Sequence, residues 1–335
     1  MSIVIAVKIG SSNTSIFKAG EGLVLFEPTL VAYNDCGSVK KVVAIGKKAK
    51  RMLGRTDGNT IIKAPIEQGR VADVELCAIM LKSYLSKVIP FSIIKPKIHA
   101  VVCIPVGLTK DEKRNYELAC NMAGIQDVDF VPAVIAGAIG YNIKIDEPVG
   151  YCLVNIGGGS TDVVVVSNSK IVSGVNVGIG GNLLDRSIEQ SIYDDYQVSV
   201  GLGVAENLKV EIGTLYANDS ASAEVTGVDP LSGVAKSVVV ESKLVYDSVV
   251  CYYEKIAECI LSVISNCPPN IVEDIHNMGI YMMGGASLIT GAEQFFRKKL
   301  NMPVIIQDET TAIDAIGAGM CLNKKDLLKT LVEPK

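Results

Sequence analysis

Strand-like and helical hydrophobic patterns alternate along this chain. Residues 97–104 form a largely apolar run that predicts a buried strand ending before Pro105. Residues 74–88 carry apolar side chains at helical spacing, and residues 109–112 have the sequence of a capping box that opens another helix. Because strands and helices alternate in both halves of the chain, the pattern predicts an α/β protein of two lobes.

One segment, YCLVNIGGGSTDVVVV at residues 151–166, combines this pattern with candidate chemistry. Two apolar runs flank three glycines and two hydroxyl residues, which predicts a strand, a tight turn and a second strand. Consecutive glycines let backbone N–H groups approach an anion, and Ser160 and Thr161 add hydroxyl groups. A glycine hairpin that only reverses the chain has the same pattern, so this segment alone leaves the choice open.

A second copy of the segment stands near the N-terminus, in IAVKIGSSNTSIF at residues 5–17. Gly10 aligns with Gly157, and Thr14 aligns with Thr161. Such an internal repeat predicts two related lobes, each presenting one hairpin tip. Two donor-rich tips that face each other would clamp a polyphosphate from both sides.

Composition narrows the class of protein. The 335 residues are enough for two domains, and the net charge of −4 gives no basic signature for a nucleic-acid partner. The nine cysteines are scattered without metal-ligand spacing, which predicts free thiols in a reducing cytoplasm. Residues 2–7 read as a strand and not as a signal peptide, and no stretch reaches the roughly 18 apolar residues of a membrane span.

With a third glycine turn in MMGGASLITG, the two hairpins resemble the phosphate-one, phosphate-two and adenosine motifs of the actin, hexokinase and heat-shock chaperone superfamily. The whole chain is similar to MreB-type bacterial actins. The stretches that carry this resemblance include LFEPTLVAY, AIGKKAKRMLGRTDGN, IEQGRVADVELCAIMLK, CIPVGLTKDEKR, GIGGNLLDRSI and AENLKVEIG. The resemblance implies an actin-like (ribonuclease H-like) two-lobe α/β fold, each lobe a mixed sheet flanked by helices, with a nucleotide between the lobes.

The same resemblance implies how the chain is divided. Lobe I would span residues 1–148, with a small subdomain IB at about residues 32–65. Lobe II would span residues 149–319, with subdomain IIB at about residues 180–240. Residues 320–335 would return to lobe I.

Carried over by position, the resemblance implies that the chain binds ATP or ADP. Glu206 and Lys209, three residues apart, would lie on one helix face and reach the nucleoside; without the resemblance, a surface ion pair is the simpler interpretation. The implied nucleotide-binding residues are Gly10, Ser11, Ser12, Asn13, Thr14, Gly157, Gly158, Gly159, Ser160, Thr161, Glu206, Asn207, Leu208, Lys209, Gly284, Gly285, Ala286, Ser287 and Leu288.

Four acidic positions of MreB-like proteins are changed together in this chain. Lys8, Ala133, Asn155 and Asn182 stand where the family has carboxylates near the metal and the attacking water. Drift explains any one change, but four changes beside retained glycines predict weakened Mg²⁺ binding and weak or lost hydrolysis. No catalytic residue or metal ligand is therefore assigned, and Lys8 is a candidate to supply part of the cation's charge.

An apolar connection, VIPFSII at residues 88–94, stands where a polar loop is expected. MreB-like proteins have a membrane-contacting loop at this place, and flanking lysines would meet anionic headgroups. The resemblance thus implies peripheral attachment to the inner face of the cytoplasmic membrane, whereas a buried connection is the structural alternative. The residues of this predicted contact are Ile89, Phe91, Ile93 and Ile94.

Two functions remain open at this stage. The first is a cytoplasmic, membrane-associated filament of head-to-tail subunits that supports cell shape. The second is a non-polymerising or co-assembling pseudo-actin that regulates an active MreB paralogue. A small-molecule kinase of the same superfamily is disfavoured, because no insertion supplies a substrate pocket and the acids are missing.

Overall fold

The computed structural model describes residues 2–35, 37, 40–56, 58–90, 92, 96–307, 312–322 and 331. Its strands form two five-stranded sheets, one three-stranded sheet and two hairpins. In chain order the strands are β1 Ser2–Ile9, β2 Asn13–Lys18, β3 Gly22–Pro28, β4 Val31–Asp35, β5 Lys40–Ile45, β6 Thr60–Lys63, β7 Ile66–Glu67, β8 Arg70–Val71, β9 Lys97–Ile104, β10 Asp127–Pro132, β11 Tyr151–Ile156, β12 Thr161–Ser167, β13 Lys170–Val177, β14 Ser222–Val228, β15 Ala235–Glu241, β16 Ile280–Met283 and β17 Val304–Ile306.

The helices cover both faces of the large sheets. They are α1 Lys47–Lys50, α2 Val74–Val88, α3 Lys110–Ala123, α4 Ala133–Gly140, α5 Gly181–Tyr196, α6 Leu202–Ile212, α7 Ser242–Ser265, α8 Pro269–Met278, α9 Ala292–Leu300 and α10 Ile313–Cys321. A short 3₁₀ turn at Gly285–Leu288 follows β16. No helix in the described part of the chain is long and apolar enough to span a bilayer.

The two large sheets have the same topology. The first has the strand order β3-β2-β1-β9-β10, and the second has the order β13-β12-β11-β16-β17. Each consists of an antiparallel meander followed by two parallel strands. The hairpin tips match in detail, since Gly10 N donates to Asn13 O at 3.0 Å and Gly157 N donates to Ser160 O at 2.9 Å. The internal repeat predicted from the sequence is confirmed.

Three apolar cores position these sheets. Helices α2 and α3 pack on one face of the first sheet, around the fully buried Tyr84, Tyr116 and Phe130. Helices α5, α6, α7 and α9 cover the outer face of the second sheet. The third core joins the lobes, because α4 and α10 pack against each other and against inner-face residues of both sheets, such as Val101 and Leu153.

Two small elements flank the gap between the sheets. The three-stranded sheet β5-β4-β6 with α1 extends from the first lobe, and the β14–β15 hairpin packs beside α6 of the second lobe. Residues 55–73 have the polar and glycine-containing sequence of a loop, yet residues 60–63 form β6 and pair with β4, and residues 66–67 and 70–71 form the β7–β8 hairpin. Strand β6 is a four-residue edge strand that leaves Ile61 exposed, and polar residues surround it in the sequence. Its apolar pattern is therefore too short to indicate a strand. The residue limits of lobes and subdomains stay predictions.

Candidate functional site

A cavity of about 290 Å³ lies between the two lobes. Its walls come from the two hairpin tips, the first turn of α5, helix α6, the glycine turn after β16, and the N-terminal ends of α4 and α10. The cavity lies at this place because of the internal repeat. In each large sheet the turn between the first two strands of the meander is at the same edge.

The two hairpin tips are in direct contact. Ser12 Oγ donates to Asn182 Oδ1 at 2.8 Å and so ties the first tip to α5 of the other lobe. A Cβ at Gly158 would lie 2.7 Å from Ser12 Cβ, and one at Gly159 would lie 2.5 Å from Ser11 Cβ. Since a serine Cβ cannot rotate out of the way, this approach of the lobes requires glycine at both positions.

Helix α5 fixes the second tip from behind. Gly181 N donates to Gly157 O at 2.9 Å, and Asn182 N donates to Gly158 O at 2.7 Å. Two of the N–H groups that a helix start leaves unpaired are thus satisfied by the tip. The tip carbonyls point into α5, and the tip is held rigidly at the cavity wall.

The glycine turn after β16 lies against the end of strand β11. Gly284 has φ 90°, and a Cβ there would lie 2.7 Å from the carbonyl carbon of Ile156, so a side chain is excluded on both conformational and steric grounds. Beside it, Asn155 Oδ1 is buried without a hydrogen-bond partner among the described residues, and Asn155 lines the cavity. A buried acceptor of this kind is satisfied by a donor from a ligand or a water molecule.

Most residues of the sequence-predicted nucleotide site meet at this cavity. Those that line it are Gly10, Ser11, Ser12, Asn13, Gly157, Gly158, Gly159, Ser160, Glu206, Lys209, Gly284, Gly285 and Ala286. The others of the predicted set lie next to the cavity wall in sequence but are not among its lining residues.

Those other side chains have structural partners or face elsewhere. Thr14 Oγ1 lies 2.8 Å from Thr29 Oγ1, and Thr161 Oγ1 donates to Ile179 O at 2.7 Å. Ser287 Oγ donates to Gly284 O at 2.7 Å and stabilises the glycine turn. Leu208 belongs to the core of the second lobe, whereas Asn207 and Leu288 are exposed.

The four changed positions also line this cavity. Lys8 and Asn155 stand on β1 and β11, Ala133 begins α4, and Asn182 lies in the first turn of α5. The four positions at which the resemblance implies carboxylates are therefore together at one place in the structure.

Three aspartates that the sequence analysis missed line the same cavity, namely Asp162, Asp185 and Asp314. Asp162 is opposite Asn155 in the β11–β12 register, and Asp185 lies one turn after Asn182 on α5. Because Asp162 and Asp185 lie close to residues that the sequence does predict, their positions could have identified them as candidates. Asp314 begins α10, far along the chain from the two hairpin motifs, so only the fold brings it here.

Each of these aspartates has a partner. Asp314 forms an ion pair with Lys8, and Asp185 pairs with Lys209 at 2.5 Å. Asp162 Oδ1 accepts from Val106 N at 3.1 Å and from Asn176 Nδ2 at 2.9 Å. Burial raises the pKa of Asp162 to about 6 against these two hydrogen bonds, and burial lowers the pKa of Lys8.

The mouth of the cleft is crossed by a further ion pair. Lys50 Nζ of α1 lies 2.7 Å from Glu206 of α6, and both side chains are exposed. Below it is a larger space of about 620 Å³, which shares Ser12, Asn182 and Glu206 with the first cavity. The Lys50–Glu206 pair therefore borders a space that reaches the hairpin tips.

The residues present fit a phosphate-bearing ligand better than a carboxylate-held metal. The glycine tips allow close backbone approach, and Lys8 and Lys209 bring ammonium groups to the cavity wall. Within the described residues there is no group of three or more metal-ligating side chains.

The predicted membrane contact is described only in part. Ile89 follows α2, is half-buried and packs against the core of the first lobe. Phe91, Ile93 and Ile94 lie outside the described residues, so this contact stays a prediction.

Comparison with known proteins agrees with this architecture. A family model described as MreB/Mbl protein matches residues 2–330. The cell shape-determining protein MreB of Escherichia coli (strain K12) is 31% identical over 326 residues, covering 96% of this chain and 94% of that protein. The cell shape-determining protein Mbl of Bacillus subtilis (strain 168) is 31% identical over 327 residues, covering 97% of each.

Solved structures give the same result for the fold. MreB5 of Spiroplasma citri bound to AMPPNP superposes with a TM-score of 0.90 at 27% identity, covering 98% of this chain and 99% of that one. A MamK double helical filament gives a TM-score of 0.79 at 18% identity over 96% of this chain and 99% of that one, which supports the fold alone. The predicted actin-like two-lobe fold is thereby confirmed, and the family match along nearly the whole length shows that the chain belongs to the MreB/Mbl family.

Proposed function

We propose that this chain is an ATP-binding cytoskeletal protein that forms membrane-associated filaments supporting cell shape, with weak or lost hydrolysis. The observation that carries the proposal is the pair of matched hairpin tips that face each other in the interlobe cavity. Two tips of this geometry suit a chain of phosphates, because the small residues of each tip let backbone N–H groups approach an anion. The Spiroplasma citri relative, MreB5, is bound to AMPPNP in one solved structure and to ADP in another.

Weak hydrolysis is inferred from the chemistry left at the changed positions. Phosphoryl transfer to water needs charge neutralisation and an oriented water molecule. Ala133 at the start of α4 offers no polar side-chain atom, and Asn155 and Asn182 offer amides that cannot take up a proton. The cavity would thus hold the substrate with little assistance for its cleavage.

A paired assay tests both parts of this proposal. Binding of ATP and ADP to the full-length protein is measured by calorimetry, and phosphate release is measured on the same preparation. We expect saturable binding with phosphate release close to the rate of a protein-free blank, because the acids that would orient water are lost. Rapid hydrolysis would contradict the loss of catalysis, whereas no binding would contradict the nucleotide site.

Filament formation and membrane contact need separate measurements. Electron microscopy of the pure protein with ATP is expected to show filaments. In a liposome pelleting assay, Phe91→Asp and Ile93→Asp are expected to reduce binding because a charge opposes insertion into the acyl region. Leu231→Asp is the matched control, since Leu231 is 96% exposed in the turn between β14 and β15. Equal pelleting of all variants would show that this loop is not the membrane contact.

A second candidate function is a co-assembling pseudo-actin that regulates a competent relative. The observation that favours it is the contact of Ser12 with Asn182, by which side chains of the two lobes join directly. A cleft held closed in this way would keep one shape whatever the nucleotide state. Microscopy of the protein mixed with an intact MreB separates the two functions, because only a regulator changes the partner's filaments without forming its own.

A further inference from the structure

Among the described residues, every carboxylate that lines the interlobe cavity is already engaged. Asp314 is paired with Lys8, and Asp185 is paired with Lys209. Glu206 is paired with Lys50 across the cleft mouth. Asp162 differs from these three, because its described partners are the two hydrogen-bond donors on one oxygen and include no ion pair.

This arrangement is unsuited to Mg²⁺. Protein-bound Mg²⁺ usually takes one or two carboxylates and the substrate phosphates, and keeps several waters. Asp162 offers a single carboxylate, one oxygen of which already accepts two hydrogen bonds. At Asp314 or Asp185 a metal ion would have to displace an ammonium group from a buried aspartate, and separating a buried ion pair is costly. The described residues contain no cluster of three ligating side chains to offset that cost.

Lys8 is in a position to take over the cation's role. It stands on β1 immediately before the first hairpin tip, and a Cβ at Gly10 would lie 3.5 Å from Lys8 Cε. An ammonium group has three N–H donors, and among the described residues Asp314 is the partner that Lys8 shows. Donors therefore remain for phosphate oxygens while the carboxylate holds the ammonium in place.

Asp314 acts on the site through Lys8. It is 2% exposed, and its Oδ1 also accepts from Ala315 N at 3.1 Å. Both contacts restrict its rotamer, so the carboxylate is a fixed anchor and Lys8 loses less side-chain entropy when a ligand binds. Asp314 is thus a positioning residue.

We propose that this cleft binds the polyphosphate of a nucleoside di- or triphosphate without a divalent cation, with the Lys8 ammonium, anchored by Asp314, in the cation's place. The inference rests on the nucleotide binding proposed above. It extends that proposal to a different charge chemistry, in which the protein itself supplies the counter-charge.

The test compares binding with and without metal. Full-length protein freed of nucleotide is titrated with ATP and with ADP in excess EDTA and, separately, in excess Mg²⁺. We expect dissociation constants that agree within about threefold, because no metal contact is gained. Lys8→Gln should weaken binding about tenfold or more in both buffers, which corresponds to one charged hydrogen bond.

Two further variants make the result specific. Lys18→Gln is the matched control, since Lys18 lies on the neighbouring strand β2, pairs with Glu21 and does not line the cavity. Its binding should equal that of the parent. Lys8→Asp places a second carboxylate beside Asp314, so binding should fall in EDTA and recover in Mg²⁺. If thermal unfolding shows that Lys8→Asp is not folded, the Lys8→Gln comparison decides.

The opposing outcomes are distinct. Binding by the parent that is about tenfold or more weaker in EDTA than in Mg²⁺ overturns the inference and leaves the nucleotide site intact. Unchanged binding by Lys8→Gln in EDTA also overturns it. Absence of binding in both buffers overturns the inference together with the proposed function.

Discussion

At the scale of single residues, Asp162 makes stability depend on pH. Burial raises its pKa to about 6, so the folded protein binds this proton more tightly than the unfolded chain does. Its favourable contribution is fully present below the ordinary aspartate pKa and is lost as the pH rises through the folded pKa. Asp162→Asn cannot ionise. We therefore expect its free energy of unfolding to exceed the parent's by about 2–3 kcal/mol at pH 8, with a much smaller gain at pH 4.

Urea unfolding of both proteins at the two pH values measures this difference. Asp195→Asn is the control for the chemical change, because Asp195 is exposed on α5. The amide that Asp162→Asn introduces keeps an oxygen for the Val106 and Asn176 hydrogen bonds, so the substitution isolates the charge. A gain that is equal at both pH values would contradict the role of ionisation.

At the scale of elements, the crossing of α4 and α10 is a tightly constrained contact between the lobes. A Cβ at Gly317 of α10 would lie 2.7 Å from the carbonyl carbon of Ala136 on α4, and one at Gly140 would lie 2.6 Å from Ile313 O. Neither helix can easily retreat, because both pack between the two sheets. Gly317→Ala should therefore lower the free energy of unfolding by about 1–3 kcal/mol.

A second helical glycine provides the control for that prediction. A Cβ at Gly203 of α6 meets nothing within 4 Å. Gly203→Ala should be neutral or stabilising by up to about 1 kcal/mol, since alanine favours the helix. Thermal or urea unfolding of both variants makes the comparison, and equal effects would show that the crossing tolerates a side chain.

The elements also show how far sequence reasoning reaches. Helix α2 has the residue limits that the sequence predicts, because a long amphipathic pattern is a strong signal. The hairpin repeat is recognisable from its glycines. Helix α8 is missed although a proline stands at its first position, a recognisable helix start. Asp314 is beyond reach, because no local pattern links α10 to β1 and only tertiary packing brings the ion pair with Lys8 together.

At the scale of the whole molecule, the two lobes are joined at the base by α4 and α10 and across the cleft by polar contacts. Val106 N of the first lobe donates to Asp162, and Arg70 Nη1 donates to Asn176 Oδ1 at 3.1 Å. The Val106–Asp162 hydrogen bond is buried, whereas the Lys50–Glu206 pair lies at the exposed mouth of the cleft. Opening for ligand exchange must therefore break the outer pair, while the packed helices remain as the pivot.

The outer pair should control exchange more than stability. An exposed ion pair contributes about 1 kcal/mol or less, so Lys50→Gln should leave the free energy of unfolding nearly unchanged. The same energy lowers the barrier to opening, and release of a bound fluorescent nucleotide should become about two- to fivefold faster. Added salt should accelerate release from the parent but not from the variant, because salt screens exposed charges.

Lys63→Gln is the control variant. It removes a charge at the same opening, but the partner of Lys63 is Glu67 of the same lobe. Stopped-flow release from all three proteins decides the point: if Lys63→Gln accelerates release as much as Lys50→Gln, general charge and not a bridge between the lobes governs exchange.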